Sequence, residues 1–192
     1  MFYEEPEYAR KIQLRFINDG LKRGDCSVYA ARDDDDLVLT ERDMKDNGID
    51  VEKFSASGHL QFYLNKPRIV DAESYNKAIA AFREAVAKQL SKSRNNSAST
   101  FPKIRGVGSI HRDLFYNNDV EINRPMASSQ LLTERLYQLN NNASFDGLWL
   151  CAYHVNDIHA QMDKEWMYEL LQTHDAVLFL PKFSNGLALS LK

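Results

Sequence analysis

The sequence has few cysteines, no long apolar run and no basic stripe, and each absence removes a class of protein. Among 192 residues there are two cysteines, Cys26 and Cys151. They lie far apart, each in an apolar run, and so read as reduced, buried thiols rather than as a disulfide framework. No stretch reaches the ~18 consecutive apolar residues that a membrane span needs. The opening segment, MFYEEPEYARK, is acidic and polar, unlike a secretory signal. Together these features predict a cytoplasmic protein. The net charge is −3, and the densest basic stretch, Lys88 to Arg94, falls at what reads as a helix end. Nucleic-acid binding needs clustered Lys and Arg, so nucleic acid is not expected as a direct partner.

Both common phosphate cradles are missing as well. A P-loop wraps phosphates in glycine amides and neutralises them with a lysine, in the pattern G-x-x-x-x-G-K-[ST]. The nearest stretch, Gly20-Leu-Lys-Arg-Gly24, has the wrong spacing and precedes a strand. The dinucleotide pattern G-x-G-x-x-G also fails, because Gly106-Val-Gly108 lies inside a strand and lacks the third glycine.

What is present is a chain with 44% hydrophobic residues, enough for a core, and a regular alternation of elements. Phe2-Tyr3 reads as a strand stub. Pro6 opens a helix in which Tyr8, Ile12, Phe16 and Leu21 keep roughly helical spacing up to Gly24. Cys26 to Ala31 is a buried strand. Leu37, Val38, Met44 and Ile49 belong to the next helix, closed by Asn47-Gly48. Gly58 to Leu64 alternates as a strand. Asp71 to Leu90 is the longest helical pattern, and 91–102 is a flexible polar loop. Ile104 to Ile110 is a glycine-containing strand, Met126 to Leu139 a helix and Leu148 to Tyr153 a strand. Asp163 to Leu171 is a helix with Asp163 as N-cap. Ala176 to Leu180 and Leu187 to Leu191 are strands around the hairpin signal Asn185-Gly186. This order predicts one domain over 1–192. Its fold is an α/β/α sandwich of three layers with a mainly parallel sheet and a C-terminal antiparallel hairpin. In such sheets ligands bind beyond the carboxyl ends of the strands.

Three polar clusters are candidates for chemistry. The run Asp33 to Asp36 supplies hard oxygen ligands for a divalent cation, but it also opens a helix, where negative charge complements the dipole. The helix-cap reading is favoured. The segment CAYHVNDIH, 151–159, has loose zinc-like spacings, yet alternation puts Cys151 and Tyr153 on one face of a strand and His154 on the other. It is read as a core strand that runs out into a ligand-facing loop, with neither a metal nor a cofactor expected. Ser109 to Asp113 ends the preceding strand in the same way, and His111 with Asp113 could act as base and orienter. Tyr3 reaches the same edge if the first strand is central.

The segments FYEEPE, GLKRGDCSVYA (20–30), DNGIDV (46–51) and SGHL (57–60) follow one another in a familiar order. So do GVGSIHRDL (106–114), LLTERLYQL (131–139), LWLCAYHVNDI (148–158) and LLQTHDAVLF (170–179). Together they resemble the MEDS domain, the sensory domain of DcmR-type regulators of methanogens and methylotrophs. The resemblance implies a fold similar to the RecA and KaiC ATPases without their P-loop. It also implies the sensing of small organic compounds and association with histidine kinases or transcription regulators. The short first strand and the long 91–102 loop depart from the family pattern.

The expected function is therefore non-enzymatic sensing. A small organic ligand would lie at the carboxyl edge of the sheet, lined by Tyr3, His111, Asp113, Tyr153 and His154, and would shift a conformational or oligomeric equilibrium. Two alternatives stay open: a hydrolase using His111 and Asp113, and a ligand-free interaction module of KaiC-like descent that forms a homo-oligomer.

Overall fold

The computed structural model describes residues 1–31, 33–64, 104–108, 147–156, 164–182 and 186–191, together with 73, 77, 80 and 84. The expected elements 126–139 and 91–102, and the expected cap Asp163, lie outside the described residues.

Strand β1 is Phe2–Tyr3, and helix α1, Pro6–Arg23, follows with Pro6 in its first turn. Pro has no N–H to strand there, and its φ is already helical. The helix stops at Gly24, whose φ of 84° is the left-handed conformation that caps helices; its N–H bonds the Gly20 and Leu21 carbonyls. The buried stripe differs from the expected one. Ala9, Gln13, Leu14, Ile17, Gly20 and Leu21 face inward, whereas Tyr8 is 52% exposed, with the Lys11 ammonium over its ring. Small residues set this rotation, since Ala9 and Gly20 let the helix approach the sheet where a tyrosine could not.

Strand β2 is Cys26–Ala31. Helix α2, Asp34–Asp46, is capped by the Asp33 side chain, which accepts from the Asp36 N–H at 2.8 Å. The aspartate run is thus a helix start, as its position suggested. The chain turns at Gly48 (φ 75°) and begins a second, shorter helix, α3, Val51–Ala56, capped by Asp50. The sequence reading had missed α3 and carried Ile49 into α2. Strand β3, Leu60–Leu64, starts two residues later than expected, because Gly58 (φ 78°) is still in the turn. Strands β4 (Ile104–Gly108), β5 (Gly147–Leu150) and β6 (Tyr153–His154) follow. Helix α4, Lys164–Gln172, and strands β7, Ala176–Leu180, and β8, Leu187–Ser190, complete the described chain.

The strands join in the order β3-β2-β4-β5 and β6-β1-β7-β8. Only Cys151 and Ala152 separate β5 from β6, so one segment pairs with β4 through its first half and with β1 through its second. Two further hydrogen bonds hold the junction: the Met1 nitrogen donates to the Cys151 carbonyl (2.6 Å), and the Tyr153 N–H donates to the Met1 carbonyl (2.8 Å). All pairings are parallel except β7 with β8, which is the expected antiparallel hairpin.

Alternation along the strands sorts side chains to two faces. On one, Tyr29, Ala31, Leu60 and Val107 pack with Leu14, Ile17 and Leu21 of α1, Met44 of α2 and Val51 of α3. On the other, Phe2, Tyr153 and Val177 pack against Trp166 and Leu170 of α4. This is an α/β/α arrangement. Each fully buried large aliphatic side chain contributes about 1.5–3 kcal/mol of transfer free energy.

Two glycines show how closely the layers meet. The stem of Arg105 occupies the place where a Cβ on Gly20 would lie, and the Arg105 guanidinium stacks 4.8 Å from the Phe16 ring centre and bonds Asp25 at 2.8 Å. On the opposite face the Trp149 indole lies flat over Gly106, so a Cβ there would overlap the ring. Gly106→Ala is expected to destabilise the fold by about 1–3 kcal/mol through overpacking. Trp149→Leu in the same chain should recover much of that loss, and urea unfolding of the two single variants and the double variant measures the coupling.

Candidate functional site

Strand β1 sits between β6 and β7, which meets the condition under which Tyr3 reaches the carboxyl edge. The chain leaves β1 through α1 on one face toward β2 and leaves β6 through α4 on the other face toward β7. Neighbouring strands whose connections diverge in this way leave a crevice at their carboxyl ends. Tyr3 and His154 occupy that point. They are paired in register, their rings meet edge to face at 5.2 Å between centres, and they are 1% and 4% exposed. His154 Nε2 lies 3.1 Å from the Glu4 carbonyl oxygen, which only accepts, so Nε2 carries the hydrogen. In the neutral ring Nδ1 is then an acceptor.

The turn after β1 is tied to the end of β7. The Glu4 N–H donates to the Leu180 carbonyl, the Lys182 N–H donates to the Glu4 carboxylate (2.7 Å), and the Lys182 ammonium meets Glu5 (2.7 Å). The Glu5 contact holds the exposed Lys182 ammonium above its usual pKa range.

Tyr153 lies on the opposite face from Tyr3 and His154. It is buried against Trp166 and Phe2, with ring centres at 6.1 and 5.8 Å. Cys151 packs with that same cluster. The segment therefore directs its thiol and its imidazole to opposite faces. His111 and Asp113 lie outside the described residues. Among the described residues no three His, Cys, Asp or Glu side chains are grouped to hold a metal ion. No helix among them is long and apolar enough to cross a membrane.

A second polar cluster at the same edge escaped the sequence reading. Arg10 on α1 donates to the Tyr29 hydroxyl (2.9 Å) and to Thr40 (3.0 Å), and its guanidinium also meets Asp36 (3.5 Å) and Asp43 (3.4 Å). The Tyr29 hydroxyl in turn donates to the Asp36 carboxylate at 3.2 Å. Asp36 is 1% exposed and Tyr29 and Thr40 are fully buried. The cluster fastens α1, β2 and α2 together. In the sequence, Asp36 reads as one of four helix-start aspartates, and no local signal separates it from Asp34 or Asp35.

Removing Arg10 strands a buried carboxylate. Arg10→Met is expected to cost roughly 3–5 kcal/mol, read from urea unfolding, with Asp36→Asn in the same chain recovering part of it. Burial also pushes up two neutral acids. The Tyr29 phenol is raised mainly by desolvation, and so is the Cys26 thiol, with Asp25 adding to the effect. A raised acid keeps its proton in the folded chain while the unfolded chain releases it, so stability is full below the unfolded value and falls as pH climbs. The melting temperature should therefore decline from about pH 8.5 upward for the thiol and from about pH 10 for the phenol. Cys26→Ala should flatten the first part of the decline and Tyr29→Phe the second.

No curated protein matches this sequence. The model of the family described as MEDS, MEthanogen/methylotroph, DcmR Sensory domain, matches residues 1–175. Most of the chain, from β1 through the end of α4, is thus covered, and the protein belongs to the MEDS family of sensory domains.

Proposed function

We propose that this sensory domain binds a small, partly apolar organic molecule at the carboxyl ends of β1 and β6, and that the molecule shifts a conformational or oligomeric equilibrium read by a signalling partner. The observation that carries this reading is the buried Tyr3–His154 pair at the point where the chain connections diverge. An aromatic ring supplies apolar contact, and an imidazole oriented by the Glu4 carbonyl supplies a polar ring beside it. Tyr153, on the far face, acts as the packed support that fixes the strand. His111 and Asp113, which follow β4 in the sequence, also belong to the proposal.

A P-loop protein holds phosphates in the turn between a strand and the helix that follows it. Here Glu4 and Glu5 occupy the turn after β1 and Glu7 the first turn of α1, and these carboxylates repel an anionic ligand. A neutral organic ligand suits the charge better than ATP does.

The test is a thermal-shift series with small neutral organics, ATP and Zn²⁺. A ligand at 100 times its Kd stabilises by about 2.7 kcal/mol, a shift of several degrees. Neutral organics are expected to raise the melting temperature and ATP is not. His154→Gln keeps a donor for the Glu4 carbonyl, so it should fold normally while weakening the effective compound about tenfold, or ~1.4 kcal/mol. A response to ATP alone, or an undiminished response in the variant, would sink this reading.

A further inference from the structure

The inward stripe of α1 is apolar at Ala9, Leu14, Ile17 and Leu21, yet Gln13 sits within it at 0% exposure. A buried amide is costly unless both of its ends are bonded. One end is: Nε2 donates to the Gly108 carbonyl at 2.7 Å, at the last residue of β4. A carbonyl only accepts, so this bond fixes the orientation of the amide. The other end is not: Oε1 is buried and has no hydrogen-bond partner among the described residues.

The surroundings make that atom unusual. One turn earlier on the same helix, Arg10 makes two hydrogen bonds and two ion-pair contacts within the Tyr29–Asp36–Thr40 cluster. Tyr29 is opposite Val107 in the sheet and Ala30 is opposite Gly108, so Gln13 lies one rung beyond that cluster. The Gly108 carbonyl that Gln13 grips closes the described part of β4. It also lies at the carboxyl edge, with only the β5–β6 segment between β4 and β1.

We propose that Gln13 is the acceptor of a ligand subsite at the end of β4, and that the molecule it takes brings an O–H or N–H donor. This deepens the proposed function and rests on it, placing the donor of a neutral organic ligand against Oε1. The subsite has a chemical preference that Tyr3 and His154 alone do not impose. Oε1 can only accept, so alcohols, phenols, primary amides and amines qualify there. Ethers, tertiary amides and carboxylate or phosphate anions do not.

The experiment uses matched probes that differ only in the donor. These are 1-propanol and phenol, each beside its methyl ether, and propionamide beside its N,N-dimethyl form. The side-chain amide resonances of Gln13 in the ¹⁵N-labelled chain, assigned by their loss in Gln13→Met, report binding directly. At least one donor-bearing probe is expected to shift them saturably, with its methylated twin at least tenfold weaker. Gln13→Met should melt within a few degrees of the parent yet lose the thermal response to that probe. Equal shifts from both members of every pair would overturn the proposal. So would no shift of the Gln13 amide from any probe, which would leave water as its sole partner. If a probe raises the melting temperature of the parent and of Gln13→Met alike, and His154→Gln abolishes the effect, the strand-end reading survives and only the Gln13 subsite falls. If no probe changes either melting temperature or resonance, both fall.

Discussion

The rest of the structure depends on a central strand of two residues. Phe2 pairs with Tyr153 and Phe179, and Tyr3 pairs with His154 and Leu180, so β1 is held on both sides. Without it the β7–β8 hairpin would have no attachment to the larger part of the sheet. The strand is short because the adjoining chain is fully committed elsewhere. Met1 bonds Cys151 and Tyr153 across the break between β5 and β6, and Glu4 already turns toward α1 while bonding Leu180 and Lys182. Its two side chains face opposite ways. Phe2 stacks on Phe179 at 5.4 Å within the α4 layer, and Tyr3 enters the α1 layer with Ala9. A strand this short serves because each of its residues is anchored in a different core.

The same economy explains the polar interior under α1. A single guanidinium reaches two carboxylates, a phenol and a threonine, and so ties α1 to both β2 and α2. Taking these charges from water is costly, and only dense mutual bonding offsets it. Such clusters tolerate little rearrangement. Gln13, next along the helix, is the place where that full bonding lapses.

Much of the fold was legible in the sequence because it rests on period and punctuation. The caps at Asp33 and Gly24, the turn at Gly48 and the closing hairpin all announce themselves locally. The face of α1 was not legible. Tyr8 and Ile12 look like core residues, but the sheet lies under Ala9 and Gln13, and only the tertiary contacts with Gly108 and Arg105 decide the rotation. Helix α3 was hidden because six residues are too few to show a period. Of the candidate site, the pairing of Tyr3 with His154 followed from strand ends. Tyr153 had been expected in the same pocket, although strand alternation with His154 turns it to the other face, against Trp166 and Phe2. Arg10 and Asp36 gave no sign, since a charged residue near a helix start usually faces water.

The berth that Gly20 leaves for Arg105 bears on how the chain reaches its native state. Asp25 and Arg105 are 80 positions apart, and their ion pair is nearly sealed from solvent. Until β4 arrives, the turn between α1 and β2 holds an unpaired carboxylate beside a vacant groove, so α1 can form early but cannot seat firmly on the sheet. Closing a loop of that size carries a large entropic barrier before any contact repays it. Firm seating of α1 thus requires β4 in place, which makes two elements 80 positions apart depend on each other.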